Sequence, residues 1–195
     1  MSMVTKQTNL LEVDWSKIPA PEDDGAAAHL VGMTVPPVSL RATNDTAVVL
    51  SELAGRTVVF AYPRTGEPGK ISLVDDWDMI PGARGCTPQA CAFRDLFAEL
   101  KAAGAAQVFG LSTQSNAYQT EMASRLHLPF PVLSDEKLEL TNALDLPVME
   151  AAGLTLIKRL ALVIDDAKVT HVFYPVFPPD RNAGDVLEWL KVNPV

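Results

Sequence analysis

Four short runs limit what this chain can fold into. "RTVVFAYP" (56–63), "AAQVFGLST" (105–113), "LALVIDD" (160–166) and "KVTHVFYPV" (168–176) are rich in β-branched and aromatic residues. Each is too short for a buried helix and reads as a strand. Helical periods fall between them. After Cys86, residues Phe93, Leu96, Phe97 and Leu100 recur at helical spacing, with Pro88 suited to a first turn and Gly104 to an end. "SNAYQTEMASRLHL" is a second helix with Ser115 as its cap. "FPVLSD" is a short extended piece, and "EKLELTNAL" a short helix. "NAGDVLEWLKV" closes the chain as a helix capped by Asn182.

From residue 57 the order is therefore strand, helix, strand, helix, strand, strand, helix. Two parallel crossovers followed by a hairpin predict an α/β fold of the thioredoxin-like arrangement, with a mixed central sheet and helices on both faces. Residues 1–27, rich in Pro, Asp, Glu and Ala, read as a loosely structured N-terminal arm, and 28–195 as one domain. At 195 residues, 48% of them apolar, one domain with a sizeable core is the expectation. Residues 64–85, rich in Gly and Pro, form an irregular insert. A loop of that length is usually functional or mobile.

The formal net charge of −8 argues against nucleic acid or an anionic membrane as partner. No run is long and apolar enough to span a bilayer. The N-terminus lacks a basic start followed by an apolar stretch, so the expected setting is cytoplasmic. The three histidines are scattered. "DDWD" (75–78) reads as a solvated acidic loop, since spacing places no further ligand beside it; no metal site is expected.

Both cysteines lie in "GARGCTPQACAFRD" (82–95). Cys86 falls where a loop becomes a helix. A helix N-terminus favours the thiolate, which is the nucleophilic form, and Arg84 and Arg64 are near in sequence. Gly85 lets the backbone approach a small ligand. Five residues of helix advance about 7.5 Å and turn about 140°. A disulfide needs Cα atoms within roughly 7 Å. Cys86 and Cys91 should therefore bridge only if the first turns unwind, which predicts a switch rather than a permanent staple. Two inert core thiols are the competing reading. A two-thiol metal site falls short of four ligands. A thioredoxin-type redox pair would have two intervening residues, not four.

"FAYP…GCTPQACAFRDLFAEL" resembles the peroxiredoxin family, in its Q-type (bacterioferritin comigratory protein) branch. "FGLSTQS", "FPVLSD", "IKRLALVID" and "VTHVF" extend the likeness over roughly residues 30–192. The resemblance implies a thiol-dependent peroxidase that reduces hydrogen peroxide or organic hydroperoxides without a cofactor. Cys86 would be the peroxidatic cysteine and Cys91 the resolving one, joined in an intrachain disulfide. Arg159 would stabilise the thiolate and polarise the peroxide. Pro63 would shield the pocket. A thioredoxin- or glutathione-type reductant is implied, and a homodimer is open.

Two departures stand out. The family's threonine three residues before the peroxidatic cysteine is Ala83 here, and the insert separates Pro63 from Cys86. Thr65 is a candidate to supply the missing hydroxyl, or a turn residue. Alternatives are a redox sensor with a slow dithiol switch and, against the four-residue gap, a disulfide reductase. Tyr62 and Phe93 read as core rather than pocket. "FYPVFPP" (173–179) reads as a lid, a dimer contact or plain packing.

Overall fold

The structure is a computed structural model and describes residues 13–195. Its centre is a seven-stranded sheet, in spatial order β2-β1-β5-β4-β3-β8-β9. The strands are β1 (Ser39–Ala42), β2 (Ala47–Val49), β3 (Arg56–Ala61), β4 (Gln107–Ser112), β5 (Val132–Ser134), β8 (Leu160–Asp165) and β9 (Lys168–Phe173). β3, β4 and β5 run parallel, β8 returns antiparallel to β3, and β9 pairs antiparallel with β8. This is the mixed α/β sheet that the element order predicts.

β3 is buried at every residue, as expected for a central strand covered on both faces. Its side chains alternate between two cores. Val59 and Ala61 join one with α4 (Glu139–Leu144) and residues 27–40. Val58, Phe60 and Tyr62 join the other with the two cysteines, Met122 and Val186. There Phe93 of α1 (Cys86–Asp95) stacks on Phe60, with ring centroids 4.2 Å apart. A fully buried phenylalanine of this kind contributes about 3–5 kcal/mol to holding its helix on the sheet.

Several expectations are refined. The helix expected to run from Cys86 to Gly104 is broken at Leu96 into α1 and α2 (Phe97–Ala102). α3 (Asn116–Arg125) does start at Ser115, whose hydroxyl oxygen accepts the Tyr118 N–H at 3.3 Å. Asn182 does not cap α5 (Asn182–Val192). It is the first helical residue, and its side-chain oxygen accepts a hydrogen bond from Gln89 instead. A hairpin absent from the sequence reading, β6 (Val148–Ala151) with β7 (Leu154–Ile157), lies outside the main sheet. It packs on the insert: Ala151 and Leu156 form a small third core with Trp77 and Ala83.

Residues 1–12 of the arm lie outside the described residues. From residue 13 the arm is seated on the domain. Asp24 accepts hydrogen bonds from Lys158 and Tyr174, both at 2.7 Å, and Ala27 joins the core.

β3 and β8 fix the site through their register. Arg56 faces Asp165 at one end, and Ala61 faces Leu160 at the other. That second end delivers Tyr62 and Pro63 beside Arg159. A one-residue slip would turn every side chain to the opposite face. The first end is pinned by a half-buried ion pair. Arg56 donates to Asp165 through Nε at 2.7 Å and Nη2 at 2.9 Å, and stacks over Trp189. The guanidinium holds the Asp165 carboxyl below its ordinary value. A depressed folded pKa stabilises above the unfolded value, about 3.9, and that contribution is lost as pH falls through the folded one. Arg56→Met should therefore cost about 2 kcal/mol at neutral pH. In urea titrations the gap to the parent should shrink below about pH 4. A gap that stays constant with pH would show that the ion pair does not pin this register.

Candidate active site

Cys86 is the first residue of α1, and Gly85 is its N-cap in the left-handed region at φ +106°. The glycine is required twice. Its φ excludes other residues without strain, and a Cβ there would lie 2.6 Å from both Trp15 and Pro179. Pro88 sits in the first turn, where a missing N–H costs nothing. The Cys86 sulfur thus lies at the positive end of a helix. It is 3% exposed and at the floor of a cleft.

Arg159, immediately before β8, is the central side chain. It is 2% exposed, yet among the described residues no carboxylate pairs with it. Its Nη2 lies 3.2 Å from Cys86 Sγ and also donates to the carbonyls of Gly82, Ala83 and Arg84 at 3.1–3.2 Å. Its Nη1 donates to Gln89 Oε1 at 2.5 Å. Gln89 in turn donates to Asn182 Oδ1 at 2.9 Å. A buried cation surrounded by neutral acceptors leaves the charge uncompensated. Among the described residues, the one group hydrogen-bonded to it that can become an anion is the Cys86 thiol.

Ala83 stands where the resemblance expects a threonine. Its methyl packs in the small third core, and its backbone carbonyl oxygen accepts from Arg159 and lies 3.6 Å from the Cys86 sulfur; being an acceptor, it does not replace a hydroxyl donor. Thr65 lines the same cleft but does not replace the missing hydroxyl. It is 1% exposed, and its hydroxyl and amide both donate to Gln114 Oε1, at 3.1 and 2.9 Å. Pro63 is buried, and its carbonyl lies 3.5 Å from the Ser112 hydroxyl. Tyr62 and Phe93 are core, as expected. The Tyr62 hydroxyl donates to Gln119 at 2.8 Å, and burial, then the Cys86 charge, pushes its phenol well above the ordinary value.

Cys91 lies in the same intact helix, also as a free thiol, and burial raises its pKa. The cleft above Cys86 is about 490 Å³. The insert forms much of its wall with Arg64, Ile71, Leu73 and Trp77. Arg64 stacks over the Tyr118 ring at 5.0 Å. In the acidic run, Asp78 pairs with Arg84 at 3.1 Å, so that residue anchors the insert.

The sequence reading missed Gln89 and Trp15. Gln89 had a signal: it is three residues from Cys86 and so shares its helix face. Trp15 is a lone large aromatic in a polar arm.

Comparison with known proteins agrees with this geometry. The redoxin family model matches residues 30–187. The chloroplast peroxiredoxin Q of Sedum lineare is 33% identical over 162 residues, which are 82% of this chain and 77% of that protein. That of Oryza sativa subsp. japonica is also 33% identical, over 82% of this chain and 66% of its own length. The chain thus spans just under two thirds of the rice relative. The crystal structure of peroxidoxin BcpB from Mycobacterium tuberculosis superposes with a TM-score of 0.67 at 28% identity, covering 85% of this chain and 98% of that one. The chain belongs to the redoxin family, in its peroxiredoxin Q branch.

Proposed function

We propose that this protein is a thiol-dependent peroxidase in which Cys86 attacks the hydroperoxide and Cys91 resolves the product. The observation that carries the reading is the contact of Arg159 Nη2 with Cys86 Sγ at 3.2 Å, from a buried guanidinium with no carboxylate partner among the described residues. That charge and the start of α1 both lie at the sulfur, the nucleophilic atom of the reading.

The Cys86 thiolate attacks the outer oxygen of the hydroperoxide. An S–O bond forms, the O–O bond breaks, and the leaving alkoxide or hydroxide takes a proton. The cysteine is oxidised to a sulfenic acid and the peroxide is reduced to an alcohol or water. Arg159, in contact with the sulfur, supplies positive charge next to the atom on which the S–O bond forms. Cys91 then attacks the Cys86 sulfur after the first turn of α1 unwinds, forming the disulfide and releasing water. A thioredoxin- or glutathione-type thiol reductant would return both cysteines to thiols. That cycle needs a reducing compartment, for which the cytosol is our proposal; the plant relatives are named as chloroplastic.

The cleft supports an organic hydroperoxide beside hydrogen peroxide. Its volume, about 490 Å³, exceeds what two oxygen atoms need, and Ile71, Leu73 and Trp77 give an apolar part to a lining that also holds Arg64, Glu67, Lys70 and Arg84. Steady-state peroxide consumption with a thioredoxin–thioredoxin reductase couple tests the reading. Turnover should occur with both substrates, with the higher kcat/KM for cumene hydroperoxide, and Cys86→Ser should abolish it. No consumption of either peroxide beyond the Cys86→Ser background would reduce the site to a slow dithiol switch.

Removing the guanidinium tests its role separately. Arg159→Met should lower the second-order rate of Cys86 oxidation by about 10²–10³. Arg159→Lys should recover little of it, because a point charge cannot serve the sulfur, Gln89 and three carbonyls together. Wild-type-like oxidation of Arg159→Met would remove Arg159 from the mechanism.

A further inference from the structure

The described part of the arm reaches the start of the Cys86 helix itself. Trp15 opens a 3-10 turn, Trp15–Lys17, that is fixed from within. The Asp14 carboxylate accepts the Ser16 hydroxyl at 2.6 Å and the Ser16 N–H at 3.2 Å, and pairs with Lys17 at 2.9 Å. The Trp15 indole N–H donates to Asp180 Oδ2 at 2.9 Å, and the ring stands edge-on to Phe177 at 6.0 Å. Its far edge lies against Gly85, opposite Pro179. A second anchor follows nine residues later, where Asp24 holds Lys158 and Tyr174. Lys158 adjoins Arg159, so the arm is tied to both sides of the site.

Bridging Cys86 to Cys91 requires the first turn of α1 to unwind. Gly85 precedes Cys86 directly. A backbone movement that carries Cys86 toward Cys91 withdraws Gly85 from between Trp15 and Pro179. The docked arm thus fits the helical dithiol form and loses its seat in the bridged form. A contact that favours one of two states opposes the other by the same free energy, and the effect is reciprocal.

We infer that Trp15 is a positioning residue: acting through Gly85, it holds Cys86 beside Arg159 for the attack on peroxide and slows the transfer of Cys86 to Cys91, so that disulfide formation and undocking of the arm are one coupled event. In the slowed step the Cys91 sulfur attacks the Cys86 sulfur. The S–S bond forms, the S–O bond of the sulfenic acid breaks, and the oxygen leaves as water with the Cys91 proton. While that step waits, a second hydroperoxide can oxidise the sulfenic acid to a sulfinic acid and be reduced to its alcohol or to water. Residues 13–24 thereby set the partition between resolution and overoxidation.

The inference rests on the two-cysteine reading, and one experiment separates the two. The full chain is mixed with one equivalent of hydrogen peroxide, quenched at intervals and weighed intact. Trp15→Ala should convert the sulfenic acid to the disulfide about tenfold faster than the parent. Trp15→Phe, which keeps a ring but loses the bond to Asp180, should fall between them. Leu50→Ala, a buried substitution in the opposite core, destabilises the fold away from Trp15, Gly85 and Cys86 and should resolve at the parental rate. In the parent, protease should cut the arm in the disulfide form and spare it in the dithiol form. Excess peroxide should give less sulfinic acid in Trp15→Ala. If Trp15→Ala does not fold, Trp15→Phe and Asp180→Ala, which removes the acceptor of the indole N–H, carry the same comparison. Resolution in the Trp15 variants no faster than in Leu50→Ala, or an arm equally protected in both redox forms, overturns this inference alone. A parent that forms no disulfide overturns the two-cysteine reading and this inference with it.

Discussion

A buried guanidinium with no carboxylate partner among the described residues organises this molecule. Arg159 is held by the carbonyls of residues 82–84 and by Gln89, all neutral, so the burial of its charge is compensated only in part. Such an arrangement is a poor device for stability. It is a good one for stabilising negative charge on the sulfur 3.2 Å away. The rest of the fold works to keep that charge in place. The β3–β8 register delivers Arg159 to the end of β3, the insert presents its carbonyls, and Gln89 ties it through Asn182 to the start of α5.

The same contacts define what must move. Gln89, Cys86 and Gly85 all belong to the first turn of α1 or its cap, and each is held from outside the helix by Asn182, Arg159 and the Trp15–Pro179 pair respectively. Reactivity toward peroxide asks that this turn be rigid. Resolution by Cys91 asks that it unwind. The two demands meet on one short segment, and the arm and the turn Pro179–Arg181 lie on the side that favours rigidity.

Much of this was legible because it is local. The strand runs, the Ser115 cap and the impossibility of bridging Cys86 and Cys91 in an intact helix follow from spacing alone. Arg159 was legible only through the family resemblance. Lys158 and Arg159 are adjacent cations, and nothing in their order says that the first reaches out to Asp24 while the second is buried on Cys86. Residue 83 shows the converse. Replacing the family threonine by alanine reads directly as a lost hydroxyl, and the backbone carbonyl there, which only accepts, does not restore a donor to the sulfur. The hairpin β6–β7 was missed because its alternation is weak and only three of its eight strand residues are buried. The helix break at Leu96 and the diversion of Asn182 to Gln89 were missed because tertiary partners override local preference.

The central claim is that Cys86 is oxidised first and Cys91 completes the cycle. The most direct test is the intact mass of the parent and of Cys91→Ser after one equivalent of hydroperoxide, with the modified residue located by peptide mapping. The account predicts loss of two hydrogens in the parent, mapped to a Cys86–Cys91 link, and gain of one oxygen on Cys86 in the variant. Oxygen on Cys91, or no change in either protein within minutes, would contradict it.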